Sequence, residues 1–147
     1  MTPSLYFAYG SNMDPRQMRV RCPDAVMLGT ATLAGHRFLI NRRGVATLER
    51  CSTARVMGVL WNLTDACELS LDRHEGLIWG FYQKLLMPVS PRERGAIAEA
   101  IVYIDPIRER GLPREGYLEK VLLGARRAGI PESNFQTYFN WVKKHAA

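Results

Sequence analysis

Residues 6 to 13 read YFAYGSNM, an aromatic run that stops abruptly in Gly10-Ser11-Asn12. Glycine lacks a side-chain barrier, and Ser and Asn tolerate unusual turn dihedrals, so such a turn can aim several backbone N–H groups at one point. A nest of that kind holds an anion: a carboxylate, or the oxyanion of a carbonyl under attack. The same three residues also make an ordinary tight turn. A second pattern is Asp72-Arg73-His74-Glu75-Gly76, in which an acid ends a helical stretch just before a glycine. A carboxylate in a last helical turn opposes the helix dipole, so Glu75 is either a solvated surface acid or one kept for its chemistry.

Other chemistries find little support. Ser11 lacks a Gly-x-Ser-x-Gly context, and His36, His74 and His145 have no evident partner for a Ser-His triad, although His74 adjoins Glu75. Cys22, Cys51 and Cys67 are without metal-ligand spacing, and Cys22 and Cys67 read as small apolar fillers. No GxxxxGK[ST] loop occurs, so Gly35 and Gly44 read as turn glycines. No metal and no cofactor are expected. The formal charge of +6 raises the question of nucleic acid. The basic residues are scattered, and Arg126, Arg127, Lys143 and Lys144 fall where helix C-termini favour cations, so no nucleic-acid partner is expected. An anionic small-molecule substrate is a second use for such charge. No apolar run reaches the roughly 20 residues of a membrane-spanning helix, so no membrane partner is expected. An odd cysteine count and the lack of a charged-then-apolar segment before Tyr6 predict a cytoplasmic chain, in which the Asn62-Leu63-Thr64 acceptor pattern has no meaning.

These residues need a scaffold. With 147 residues, 47% of them hydrophobic, the chain is the size of one domain, here residues 1–147, and can bury a sizeable core. Leu5 to Tyr9 reads as a buried first strand. Asp14 followed by Pro15 is an N-cap and first helical position for a short helix toward Cys22. Two strands are expected between Ala25 and Asn41, interrupted near Ala34-Gly35. A third runs from Val45 to Glu49 and a fourth from Met57 to Leu63. Thr64 caps a helix with Asp65 and Glu68 in its first turn and Gly76 beyond its end. Gly80 to Val89 and Ala96 to Ile104 read as paired strands joined by Ser90 to Gly95. Leu118, Val121, Leu122 and Ala125 make a helical stripe ended by Gly129 and Pro131, and Phe135, Tyr138, Phe139 and Val142 make another. Both stripes read as core-facing. The pattern is a strand-rich body followed by helices.

Taken in order, YFAYGSN, the Gly58-Val59-Leu60-Trp61 strand, the Glu75-Gly76 pair, Tyr82, and the Tyr117 to Pro131 segment with Gly124-Ala125 and Gly129-Ile130-Pro131 resemble the gamma-glutamylcyclotransferase-like family. The resemblance spans most of the chain. It implies an α+β fold, a small mixed β-barrel of about five to six strands with flanking helices. It further implies that Tyr9, Gly10, Ser11 and Asn12 grip the substrate, that Glu75 is the catalytic acid/base and that Tyr82 lines the pocket. The implied reaction is intramolecular: the α-amino group of a gamma-glutamyl amine or peptide attacks its own side-chain carbonyl, giving 5-oxoproline and releasing the amine. An ordinary glutamate, with a pKa of about 4.3, is a poor base for an amine. Glu75 is therefore expected in an apolar, partly buried setting supplied by Trp79, Phe81 and Tyr82. The alternative on the same scaffold is a non-catalytic carboxylate-binding module. The leaving amine, the oligomeric state and the role of the adjacent Arg42 and Arg43 stay open.

Overall fold

The computed structural model describes residues 4–92 and 96–145. Its centre is a closed barrel of strands β1 (Ser4–Ala8), β2 (Val26–Ile40), β3 (Ala46–Leu63), β4 (Gln83–Pro91) and β5 (Ala98–Ile104), in the order β1-β3-β2-β4-β5. Neighbours are antiparallel except at the seam, where β1 lies parallel to β5 with Tyr6 opposite Ile101. That seam explains the aromatic composition of β1, since parallel pairs sit in buried surroundings and Phe7 is wholly buried. The helices are α1 (Pro15–Arg21), α2 (Asp65–His74), α3 (Tyr117–Arg127) and α4 (Gln136–His145), with short 3-10 turns at Ser11–Met13, Leu77–Trp79 and Glu132–Phe135.

Several boundaries differ from the sequence reading. The two strands expected between Ala25 and Asn41 are one, and so are those expected at Val45–Glu49 and Met57–Leu63. Gly29 and Gly35, both at positive φ, mark shifts of register between β2 and β3, not chain breaks. A glycine at a bulge lets a long strand bend around a barrel while its pairing continues on both sides. The polar run Arg50–Arg55 resembles a loop because it is mostly solvent-facing, yet it belongs to β3. At the next element, Gly80 sits in the left-handed region at φ 72°, so β4 starts only at Gln83. Of the expected Ser90-to-Gly95 connection, Ser90 and Pro91 belong to β4, and residues 93–95 lie outside the described residues.

The helices cover the barrel with the stripes that their periodicity predicts. Val121 and Ala125 of α3 are buried, with Leu118 and Leu122 partly so. Tyr138 of α4 and Phe135 just before it meet Phe38 edge-on, at ring-centroid distances of 6.1 and 4.8 Å. Gly124 sets how near α3 approaches the end of β1: a Cβ there would stand 2.9 Å from the backbone nitrogen of Asp14. Only a residue without a side chain permits that approach. It brings α3 against the turn that follows β1.

Candidate active site

Tyr9 continues β1, and its buried hydroxyl donates to the Tyr103 carbonyl of β5 at 2.5 Å. The chain then turns through Gly10 into the Ser11–Met13 3-10 turn. Among the described residues, no backbone acceptor takes the N–H groups of Gly10, Ser11 or Asn12. Gly10 has φ −110°, so left-handed geometry is not its reason. A Cβ there would make ordinary contact with the Tyr117 hydroxyl, at 3.4 Å.

The turn is held from behind. Asn12 is buried, with its side-chain oxygen accepting from Gln17 at 3.0 Å and Arg21 at 2.5 Å. Its amide nitrogen donates to the Tyr6 hydroxyl at 3.1 Å, and its carbonyl accepts from the Trp61 indole at 3.1 Å. Gln17 also donates to the Ser11 hydroxyl at 2.7 Å. The side chain of Asn12 thus fixes the turn, while its backbone N–H has no acceptor among the described residues. Helix α1 supplies Gln17 and Arg21 because Asp14 caps it, accepting from the Arg16 N–H at 2.9 Å, and Pro15 fills its first position. The other Asp14 oxygen accepts from Arg127 of α3 at 2.8 Å, tying both helices to the turn.

The acid arrives on α2. The Thr64 hydroxyl caps that helix by accepting from the Cys67 N–H at 3.2 Å, and Gly76 at φ 67° ends it. Glu75 is left at the C-cap, its N–H still donating to the Leu71 carbonyl at 2.8 Å. Its carboxyl lines the same cavity as the turn, a space of about 540 Å3, and no hydrogen bond or ion pair engages it among the described residues. Burial pushes its pKa up to about 7, against the opposing pull of the Arg21 guanidinium. His74 also lines the cavity, and burial, helped by Arg21, holds its imidazole below the ordinary histidine value, in the neutral form at neutral pH. Of the three residues expected to supply the apolar setting, Phe81 and Tyr82 line the cavity, whereas Trp79 is 77% exposed and absent from its wall. Tyr6 and Tyr103 line it as well.

The facing wall pairs two tyrosines on one residue. Tyr82 donates its hydroxyl to the Ala46 carbonyl at 3.0 Å, and the Tyr117 hydroxyl accepts from the Ala46 N–H at 3.2 Å. That acceptance leaves the Tyr117 proton free to be donated into the cavity. Burial raises the Tyr82 phenol above its usual value and pushes Tyr117 up to about 12, so both stay protonated. Among the described residues no cluster of three or more His, Cys, Asp or Glu side chains is arranged to ligate a metal.

A family model described as the AIG2-like family matches residues 55–138, a stretch containing Glu75 and Tyr82. A gamma-glutamylcyclotransferase from Mus musculus is 30% identical over 138 residues, covering 87% of this chain and 73% of that protein. The chain belongs to the gamma-glutamylcyclotransferase-like family. A counterpart from Bos taurus is 29% identical over 86% of the chain and 72% of its own length. A solved structure entitled gamma-glutamyl cyclotransferase superposes with a TM-score of 0.83 at 25% identity, covering 93% of this chain and 86% of that one.

Within this member of the gamma-glutamylcyclotransferase-like family, the structure brings Tyr9, Gly10, Ser11, Asn12, Glu75 and Tyr82 to one cavity. Residues that the sequence reading did not select join them: Arg21, Arg43, Tyr103 and Tyr117. Tyr117 had a visible signal, since it opens the Tyr117 to Pro131 segment that carries the family resemblance; its side chain is partly buried against the core. Arg43 stood out only as one of an adjacent arginine pair of open role, and Arg21 carried no signal, because their positions depend on how the β2–β3 tip and α1 fold over the barrel mouth.

Proposed function

We propose that the protein is a cyclotransferase that converts the gamma-glutamyl group of a gamma-glutamyl amine or peptide to 5-oxoproline and releases the attached amine. The observation that carries this reading is Glu75: an unpartnered carboxyl with a pKa near 7, in one cavity with the unengaged N–H groups of Gly10, Ser11 and Asn12. The family of its relatives supports the same reading.

In the proposed reaction the turn amides hold the glutamyl part and its polarised carbonyl. Glu75 takes a proton from the α-ammonium, and the freed nitrogen attacks the side-chain carbonyl carbon. The attacking nitrogen gives up a second proton as the new C–N bond closes the lactam, and the old C–N bond breaks as Glu75 passes the two protons in turn to the departing nitrogen, which leaves as an ammonium. Atoms balance without a second substrate. Because both reacting groups belong to one molecule, orientation alone supplies up to roughly 7–11 kcal/mol of the barrier. A carboxyl with a pKa near 7 exchanges protons in both directions at neutral pH, as a group that must act first as base and then as acid requires. The free thiols of Cys22, Cys51 and Cys67 fit the proposed cytoplasmic setting.

The test is 5-oxoproline release from a panel of gamma-glutamyl amines and peptides. Turnover by the parent and its loss by at least about 1,000-fold in Glu75→Gln, with an unchanged unfolding transition, is the expected result. Full turnover in Glu75→Gln removes this residue from the mechanism. Thermal stabilisation by a gamma-glutamyl compound without product identifies a binding module instead.

A further inference from the structure

The cavity carries more positive charge than the proposed chemistry uses. Arg21, Arg43, Arg114 and Lys120 line it, against Glu75 as the lining carboxyl. Arg21 is committed to Asn12 and to the field at Glu75. Arg43 stands elsewhere, on the tight connection between β2 and β3.

That connection is rigidly built. Asn41 is fully buried, donates to the Ile107 carbonyl at 2.9 Å and accepts from the Arg43 N–H at 3.0 Å. Arg114 clamps the same tip: its N–H donates to the Gly44 carbonyl at 3.0 Å, and its guanidinium donates to the Arg43 carbonyl at 3.0 Å. The Arg43 guanidinium stacks over Phe81, 4.7 Å from the ring centroid. One of its terminal nitrogens pairs with the wholly buried Asp105 and also reaches the Phe81 carbonyl at 3.4 Å. The Nε and the second terminal nitrogen have no acceptor among the described residues, although the side chain lines the cavity and is only 25% exposed. Asp105 offsets one charge while fixing the group. Arg114 and Lys120 keep this end of the cavity positive, with no ion pair of their own among the described residues.

Arg43 stands apart from the turn: the guanidinium bonded to Asn12 is that of Arg21, whereas Arg43 is bonded to Asp105 and stacked on Phe81. A planar, immobilised guanidinium with free N–H groups matches a carboxylate in a way a mobile lysine does not.

We infer that Arg43, held by Asp105 and Phe81, is a specificity-determining residue that reads a carboxylate on the departing half of the substrate, so that the preferred leaving group is an amino acid or peptide, not an uncharged amine. This rests on the cyclotransferase reading. The test uses gamma-glutamylalanine and gamma-glutamylalaninamide, which differ only in masking of the distal carboxylate, and compares kcat/KM from 5-oxoproline release. The parent is expected to favour gamma-glutamylalanine by at least about tenfold, and Arg43→Met to collapse that ratio toward one, chiefly through KM. Arg43→Lys keeps charge without the planar fork and falls between them. Because Arg43→Met leaves Asp105 buried and unpaired, Arg43→Met/Asp105→Asn is measured beside it; the Asn oxygen keeps the bond from the Ile107 N–H, which is 3.0 Å from Asp105. A parent ratio near one, or a ratio unchanged in both variants, overturns the assignment of Arg43 and leaves the cyclotransferase reading standing. No 5-oxoproline from either compound with the parent enzyme overturns both.

Discussion

At the scale of single residues, Glu75 ties stability to pH with a sign opposite to that of most carboxylates. Its pKa rises from an ordinary 4.5 to about 7 on folding because the charged form is desolvated. The folded state therefore holds the proton more tightly than the unfolded chain does. The associated stability is complete below pH of about 4.5 and is lost as pH rises through 7. The full shift corresponds to about 3 kcal/mol. Urea unfolding at pH 5 and pH 8 should show the parent losing up to that amount relative to Glu75→Gln, which has no titrating group there. In kinetics the sign reverses, since a base must be ionised: kcat/KM should climb with pH through about 7. The helix-end position of Glu75 left a solvated surface acid open, and its place in the cavity was expected from the family resemblance alone. The function of the Asn12 side chain was not legible, because its partners Gln17 and Arg21 come from the next helix, and nothing in a four-residue turn announces them.

At the scale of elements, the helices were read nearly to their caps, whereas the long strands β2 and β3 were each read as two. Helix ends carry local chemical marks, such as Asp14 with Pro15 and Thr64 with Gly76, and these act where they stand. Strand continuity is a property of the partner. Gly35 and the polar Arg50–Arg55 run look like breaks until β2 and β3 are laid side by side, and then the same residues become bulge and solvent face. The placement of α3 is a further element-scale fact invisible in sequence. It depends on Gly124 touching Asp14, a contact across a gap of more than a hundred residues. Gly124→Ala would put a methyl group 2.9 Å from the Asp14 backbone nitrogen, so α3 or the turn must shift. Overpacking of this kind costs about 1–3 kcal/mol in urea unfolding. The same shift should move Tyr117 off Ala46 and lower kcat/KM by at least about threefold, because small misplacements at a site are costly.

At the scale of the whole molecule, closure of the barrel was expected from family resemblance and not from pattern, since no local signal says that the first strand must meet the last. In the structure β1 is the seam: it pairs with β3 on one side and β5 on the other, and Phe7 fills the interior behind it. Phe7→Ala should cost about 3–5 kcal/mol in chemical denaturation, as buried aromatic truncations do. It should also depress turnover while the chain is still folded, because β1 runs directly into Gly10 and the turn. The proposed grip and the closure thus share a single length of backbone. A lineage drifting toward new leaving groups has little freedom on that side, where any retuning would unzip the cylinder. On the proposed assignment its room for change lies across the mouth, at Arg43, Phe81 and Arg114, which lie outside the β1 seam that keeps the molecule shut.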